Sequence, residues 1–339
     1  MPSDKRPLGS IDRRTLLMGG VGLTTAMLLP GIGRAAEGFK FITPLGYSLA
    51  FAPVLYAKSG GFYEKAGLDV EVIGGKGAAM AAQMTIAGQA DSGRTGGANY
   101  IVSRVKNQAP MLSIATIAQA SPFYVISPKS RNIATVKDFE GKTFGMASLG
   151  GSMENTLDFM LSQGGVDPKS VNKVKVSDTP AAFGLIEANK IDGFMGNVST
   201  TVKLVSTNAE IHAFKVNDGI PGQVYVAAEQ AIQDHPEKLI AFLKGTKQAA
   251  EAILDATDLN PILESIGSSF DIRGLEDKAN AAADLKENSG LWISEGRQNL
   301  LRNVPGLWEG GVKLMTAAGM IPAGVDPASL YTNTLLDKA

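Results

Sequence analysis

The chain is predicted to be an α/β protein with largely parallel sheets. Three observations carry this. Short β-prone runs alternate with helix-forming runs over its first two-thirds, the rhythm of βα units. Much of the glycine, 39 residues or well above the usual ~7%, falls at the junctions between those runs. A length of 339 residues and a hydrophobic fraction of 44% suit two well-packed lobes or domains.

Taken in order, residues 39–43 are β-prone and stop at Pro44-Leu45-Gly46, and 48–58 suit a helix closed by Gly60-Gly61. From 68 to 73 apolar residues alternate with Asp69 and Glu71, the period of a half-buried strand. Strong helix formers fill 78–87, and Gly88 ends them. Ala90-Asp91-Ser92-Gly93 reads as a turn, 100–105 as helix, and 112–117 and 123–126 as buried strands. The rhythm continues with strands at 143–146, 171–176 and 193–195 and helices at 152–163 and 180–188. After a last β-prone run at 223–227 the pattern turns helical, at 231–254, 276–288, 294–301 and 308–318. A β-rich beginning with a helical end argues against two sequential, independent domains.

Residues 86–93 and 186–193 echo each other. In each, an amphipathic helix ends in a polar turn, and Asp91 or Asp192 leads into a short strand. Ordinary αβ-loop chemistry and a duplicated architecture both account for the echo.

The first 35 residues read differently. Lys5, Arg6, Arg13 and Arg14 precede an apolar run from 16 to 29, then Pro30 and small residues, the order of a secretory signal. That run holds Gly19, Gly20 and Gly22 and is short for the ~30 Å of a bilayer core. Arg13-Arg14-Thr15-Leu16-Leu17 resembles the twin-arginine export motif, with Leu16 and Met18 where Phe and Lys are common. Gly33 and Ala35 satisfy the small-x-small rule for cleavage after Ala35; an uncleaved anchor helix is the competing reading. Removing 1–35 takes away five basic and two acidic residues, which leaves a formal charge of −4. No cysteine follows the apolar run, so a bacterial lipid anchor is excluded. The mature protein is therefore expected to be soluble in the periplasm.

There is no cysteine anywhere, and the two histidines are His212 and His235. Disulfides, zinc–thiolate sites, iron–sulfur clusters and cysteine nucleophiles are excluded, and so is a three-histidine metal site. No cofactor or metal is expected. Asp, Glu, Lys and Ser remain, so catalysis stays open in principle. A formal charge of −1 gives no whole-surface attraction to nucleic acid.

Four loops rich in Gly, Ser and Thr lie at predicted strand-to-helix junctions: 46–48, 74–77, 94–97 and 148–152. Open α/β sheets bind ligands at such carboxyl ends of strands. Glycine admits close approach, and helix-N-terminal amides favour anions. The candidate ligand-binding residues are Tyr47, Ser48, Arg94, Thr95, Ser148, Gly151, Ser152 and Asn197. An arginine facing a cleft would pair bidentately with a carboxylate or sulfonate; the competing reading of Arg94 is a solvated loop residue. Lys76 is read as a surface lysine, Phe51 and Phe123 as core, and Trp292 and Trp308 as buried packing. Neither nucleotide fingerprint is satisfied: 75–80 lacks the third glycine, and no GxxxxGK[ST] occurs.

One further set of residues bears on the whole chain. It comprises Ala52-Pro53-Val54-Leu55-Tyr56-Ala57, the segment Gly61-Phe62-Tyr63-Glu64-Lys65-Ala66-Gly67-Leu68-Asp69-Val70, Gly74-Gly75, residues 87–93, and residues 136–143. On these, the stretch 46–225 resembles the type II periplasmic solute-binding proteins of ABC importers, within the group that binds nitrate, sulfonates, taurine and thiamine precursors.

The resemblance implies a two-lobe fold with two crossovers, near 121–124 and 219–226, and a ligand cleft between the lobes. Lobe one would hold 37–121 plus 226–339, with the helical tail, and lobe two 122–225. The implied function is an extracytoplasmic substrate-binding component, not an enzyme. It would act as a monomer, capture a small organic anion or polar heterocycle by lobe closure, and deliver it to an inner-membrane ABC permease. The chain departs from the group's pattern in two places. No acid or proline stands near Met195-Gly196-Asn197, and Arg94 stands where a small residue is frequent. Two alternatives remain: an enzyme of the same fold and a ligand sensor for a receptor kinase. The fungal-type pyrimidine synthase of this superfamily relies on a cysteine-rich segment and a histidine that this chain does not supply.

Overall fold

The computed structural model describes residues 36–216 and 219–339; the export segment expected at 1–35 lies outside the described residues. Alternating burial, as in Leu68, Val70 and Val72 against exposed Asp69 and Glu71, marks a strand with one covered face. In chain order the strands are β1 (Glu37–Ile42), β2 (Leu68–Ile73), β3 (Ser92–Gly96), β4 (Met111–Ala118) and β5 (Phe123–Pro128). They continue with β6 (Thr143–Met146), β7 (Asn172–Lys175), β8 (Gly193–Asn197), β9 (Ile211–Lys215) and β10 (Gln223–Ala228). Two five-stranded sheets result, ordered β2-β1-β3-β10-β4 and β7-β6-β8-β5-β9.

In the first sheet β1 runs parallel to β2 and β3, and β10 runs antiparallel to β3 and β4. In the second, β6 runs parallel to β7 and β8, and β5 antiparallel to β8 and β9. Each sheet thus receives its antiparallel fourth strand from the chain arriving out of the other sheet, β4 leading to β5 and β9 to β10. The expectation of largely parallel sheets is corrected to mixed ones for this reason. The expected return to lobe one at residue 226 is corrected too, since β10 belongs to the first sheet from Gln223 onward. The run at 223–227 reads as a strand, but nothing local in it says which sheet it joins.

Segment 90–97, read as a turn leading into a short strand and then a loop, holds β3 over Ser92–Gly96, so the strand takes in most of what reads as turn and loop. Ser-Gly-Arg-Thr-Gly is a weak strand former by itself; β1 on one side and β10 on the other bury all five of its residues. The echo between 86–93 and 186–193 corresponds to one arrangement built twice. Asp91 N donates to Lys40 O (2.8 Å), while Asp91 Oδ2 accepts from Lys40 N (2.7 Å). Asp192 does the same with Thr143, at 2.8 and 2.9 Å. The strands that follow, β3 and β8, hold the same third place in their sheets.

The helices are α1 (Ala52–Ser59), α2 (Phe62–Lys65), α3 (Ala78–Ile86), α4 (Gly97–Lys106), α5 (Ser152–Gln163) and α6 (Phe183–Glu187). Then come α7 (Val198–Thr207), α8 (Glu229–Asp234), α9 (Pro236–Asp255), α10 (Asn260–Ser269), α11 (Lys278–Trp292) and α12 (Pro305–Ala317). The single helix expected at 231–254 is divided at His235, because Pro236 has no N–H to continue α8 and opens α9 instead. The helix expected at 294–301 is only one short turn, Arg297–Asn299, entered through Gly296 at φ 96°.

The tail packs chiefly on the first sheet. Phe242 of α9 stacks on Phe39 (4.7 Å), Phe41 (5.2 Å) and Tyr63 (5.6 Å), and Trp308 of α12 meets Tyr100 edge-on. One tail helix also reaches α7, beside the second sheet. Asp284 of α11 accepts from Ser199 Oγ (2.9 Å), and Asp277, which caps its start, pairs with Lys203 (2.8 Å). Asp284 also accepts from Asn288 Nδ2 (2.7 Å), and burial pushes its carboxyl up from 3.8 to about 6. A carboxyl raised on folding takes up a proton, so its penalty is absent below pH 3.8, complete above about pH 6, and grows as pH rises between them. Asp284→Asn keeps both accepted hydrogen bonds. It is expected to stabilise the protein at alkaline pH by about 1–3 kcal/mol and to be neutral in acid, as read by urea melts across that range.

Candidate functional site

Between the two sheets lies a cavity of about 60 Å³. At ~10–15 Å³ for each water-sized occupant, it holds a handful of non-hydrogen atoms. Phe51, Phe123 and Met153 give it apolar walls. The two phenylalanines read as core are buried and also face this space. A larger and more polar chamber of about 570 Å³ adjoins it, and Asp178 and Asn197 line both.

Arg94 is the charge of the inner cavity. It is only 3% exposed, so it is not the solvated loop arginine that the competing reading allowed. It sits in the middle of β3, where it pairs antiparallel with Tyr225 of β10. Nε donates to Gln223 Oε1 (3.2 Å), Nη1 donates to Ala50 O, and the guanidinium lies 4.9 Å from the centre of the Phe51 ring. Among the described residues no carboxylate pairs with it and its Nη2 has no acceptor. Burial lowers the guanidinium to about 10, which leaves it cationic at neutral pH. A desolvated arginine with donors to spare favours an anion.

Of the residues expected at the site, Arg94, Ser148, Ser152 and Asn197 line the inner cavity together. Ser152 opens α5, and its Oγ accepts from Gly96 N (2.9 Å), tying the end of β3 to lobe two. The first turn of α5 adds the positive end of a helix dipole to that wall. Asn197 caps α7 through Thr200 N (3.0 Å), so its side chain is partly spent on structure. Tyr47 and Ser48 line the outer chamber instead, Tyr47 with its hydroxyl donated to Val72 O (2.7 Å).

Thr95 and Gly151 line neither chamber. Thr95 follows Arg94 in a strand and so faces the other way, where its Oγ1 accepts from Asn99 Nδ2 (2.8 Å). Gly151 packs against the Ser148 side chain, whose Oγ would lie 2.2 Å from a Cβ built there. Lys76 is exposed, as expected.

Sequence reasoning missed Asp178 and Gln223. Asp178 lies just after β7, at the same kind of junction as the four loops singled out, but Ser177-Asp178-Thr179-Pro180 has no glycine to draw attention. Gln223 comes from β10, which reads as a strand but whose pairing beside β3 no local pattern shows. Among the described residues no cluster of His, Asp and Glu could hold a metal ion, and no helix is long and apolar enough to cross a membrane.

Comparison with known proteins agrees with this architecture. The model of the NMT1/THI5-like family matches residues 48–258, more than half of the chain. No curated protein matches in sequence. Among solved structures, a protein from Bordetella bronchiseptica RB50 superposes with a TM-score of 0.72 at 19% identity, over 90% of this chain and 97% of its own. The alkanesulfonate-binding protein SsuA from Xanthomonas axonopodis pv. citri, bound to MOPS, gives 0.65 at 14% identity, over 88% and 99%. The periplasmic nitrate-binding protein NrtA from Synechocystis PCC 6803 gives 0.66 at 15% identity, over 89% and 88%. At these identities the structural likeness establishes the fold. With its two mixed sheets and the cleft between them, the chain belongs to the NMT1/THI5-like family and has the two-lobe fold of the periplasmic binding proteins of nitrate and sulfonate importers.

Proposed function

We propose that this protein is the extracytoplasmic ligand-capturing component of an ABC importer, closing its lobes on a small organic anion and passing it unchanged to an inner-membrane permease. The observation that carries the reading is Arg94, a buried guanidinium without a carboxylate partner on the wall of the interlobe cavity. An anion there would supply the missing charge, and Ser148 and Ser152 lie on the facing lobe to complete its hydrogen bonds. Apolar walls suit an organic substituent. Ligand classes named for similar folds, an alkanesulfonate and nitrate, are anions. In this reading the basic–apolar–small order of residues 1–35 directs export by a twin-arginine-like route, and the mature chain works as a soluble periplasmic monomer without a cofactor.

A thermal-shift screen over alkanesulfonates, nitrate, short carboxylates and aminopyrimidines tests it. Ligand at ~100 times its Kd adds about 2.7 kcal/mol to stability, a rise of several degrees for a chain of this size. At least one anion class is expected to produce that rise and to be recovered chemically intact. Recovery of an altered ligand would place the protein among enzymes; no shift with any anion would remove Arg94 as the anchor.

A further inference from the structure

The buried arginine of the inner cavity is aimed by one neutral side chain. β3 and β10 pair so that Tyr225 stands opposite Arg94 and Gln223 opposite Gly96. Arg94 and Gln223 are therefore diagonal neighbours on one face of the sheet. Gly96 puts no side chain between them, since a Cβ there would lie 3.4 Å from Gln223 Nε2 and 2.5 Å from Ser152 Oγ. Across this gap Gln223 Oε1 accepts from Arg94 Nε (3.2 Å). A guanidinium nitrogen can only donate, so this bond fixes which way round the amide lies and leaves Nε2 at its other end. Gln223 is buried and lines the cavity. Its Nε2 has no acceptor among the described residues, yet it is not sealed from solvent as the Tyr225 hydroxyl is. Arg94 Nη2 is in the same state. Ser152 Oγ accepts from Gly96 N (2.9 Å) and keeps its own hydrogen to donate. Donors without acceptors thus run along one wall from Arg94 through Gln223 to Ser152.

We infer that Gln223 is a positioning and specificity residue of the anion site. Its Oε1 holds the guanidinium with Nη2 toward the cavity, and its Nε2 donates to a further oxygen of the bound oxyanion. This rests on the anion-binding reading of the cavity and adds a residue to it. The choice of amide over acid is what the arrangement turns on. A glutamate has the same shape as glutamine and would accept from Nε equally well. Its charge, however, would make it the counterion that Arg94 lacks. Its second oxygen would also replace a donor with an acceptor that repels an oxyanion. A neutral acceptor orients the planar fork of the arginine without cancelling its charge, so the cation is left for the ligand. Backbone pairing of Gln223 with Gly96 and Ala118 holds the amide at this place.

The test compares the mature wild type with Gln223→Glu and Gln223→Met, by calorimetry near neutral pH and by urea melts without ligand. Nitrate, ethanesulfonate and propionate are the probes, and wild type is expected to bind at least one. For that probe Gln223→Glu is expected to lose about a hundredfold or more in affinity. Its stability without ligand should stay level or rise, because the buried cation gains a partner. Affinity and stability moving in opposite directions is the signature of the role, since a residue needed only for packing would lower both or neither. Gln223→Met, of similar length but without the amide, is expected to lose about tenfold in affinity, and it carries the test alone if the acid variant does not fold. Loss of both affinity and stability in a folded Gln223→Glu marks a packing role and overturns the inference. Affinity within about threefold of wild type in either folded variant also overturns it and leaves the anion reading standing. Failure of all three probes to bind wild type overturns the anion reading and this inference together.

Discussion

Arg94→Met is expected to weaken the binding of the captured anion by about 2–5 kcal/mol, roughly thirtyfold to several thousandfold, the cost of truncating one member of a buried charge pair. Methionine fills much of the same volume, so the cavity keeps its shape while losing its charge. The ligand-free protein should change little in stability, because two effects oppose each other. Removing a desolvated cation stabilises, while Ala50 O and Gln223 Oε1 lose their donor. Calorimetry therefore separates affinity from folding. An affinity within about threefold of wild type would show that the anion sits elsewhere. Arg94→Lys is an informative companion, since it retains the charge and loses the planar fork.

The second large effect belongs to the crossovers. A Cβ built on Gly222 would lie 1.8 Å from the carbonyl oxygen of Ala120 and 3.0 Å from that of Ala118. Those residues precede β5 and Gly222 precedes β10, so the two connections between lobes run backbone to backbone. Nearby, Gly97 N donates to Gly222 O (3.1 Å), and a Cβ on Gly97 would fall 1.7 Å from Pro221 O. No rotamer relieves a Cβ clash with backbone, so the chains themselves must part. Gly222→Ala is expected to lower stability by at least ~3 kcal/mol in urea denaturation, at the upper end of overpacking losses. A loss under ~1 kcal/mol would mean that the connections slide past each other at little cost, which would make this crossing a loose hinge rather than a tight one.

The difference between Arg94 and Thr95 shows how far the site was legible. Both stood in one Gly-rich segment read as a loop, and both were candidates for the ligand. Pairing with β1 and β10 turns that segment into a strand, and strand geometry sends consecutive side chains to opposite faces. Arg94 then enters the cavity and Thr95 turns to α4. Likewise the loop 148–152 was recognised by composition, but only Ser148 and Ser152 among its candidates reach the cavity; Gly151 packs against the Ser148 side chain. Asp178 went unnoticed because an acidic residue between Ser and Thr looks like an ordinary turn. Its distinction, an oxygen shut away from water without a partner, exists only once α7 is packed beside it.

The amino-acid sequence by itself determined the local events: period-2 and helix-forming runs, the glycine-rich junctions, and the exclusion of cysteine and polyhistidine chemistry. These depend on neighbours a few residues apart, so they can be read from the chain. Tertiary structure decided what depends on partners distant in the sequence. It placed β10 in the first sheet, made a strand of Ser92–Gly96, tied α11 to α7, and set Arg94 and Asp178 on the wall of one cavity. The physical reason is that burial and charge pairing are properties of a place in the fold. A lone arginine in sequence is ambiguous; an arginine buried on a cavity wall without a carboxylate partner favours an anion.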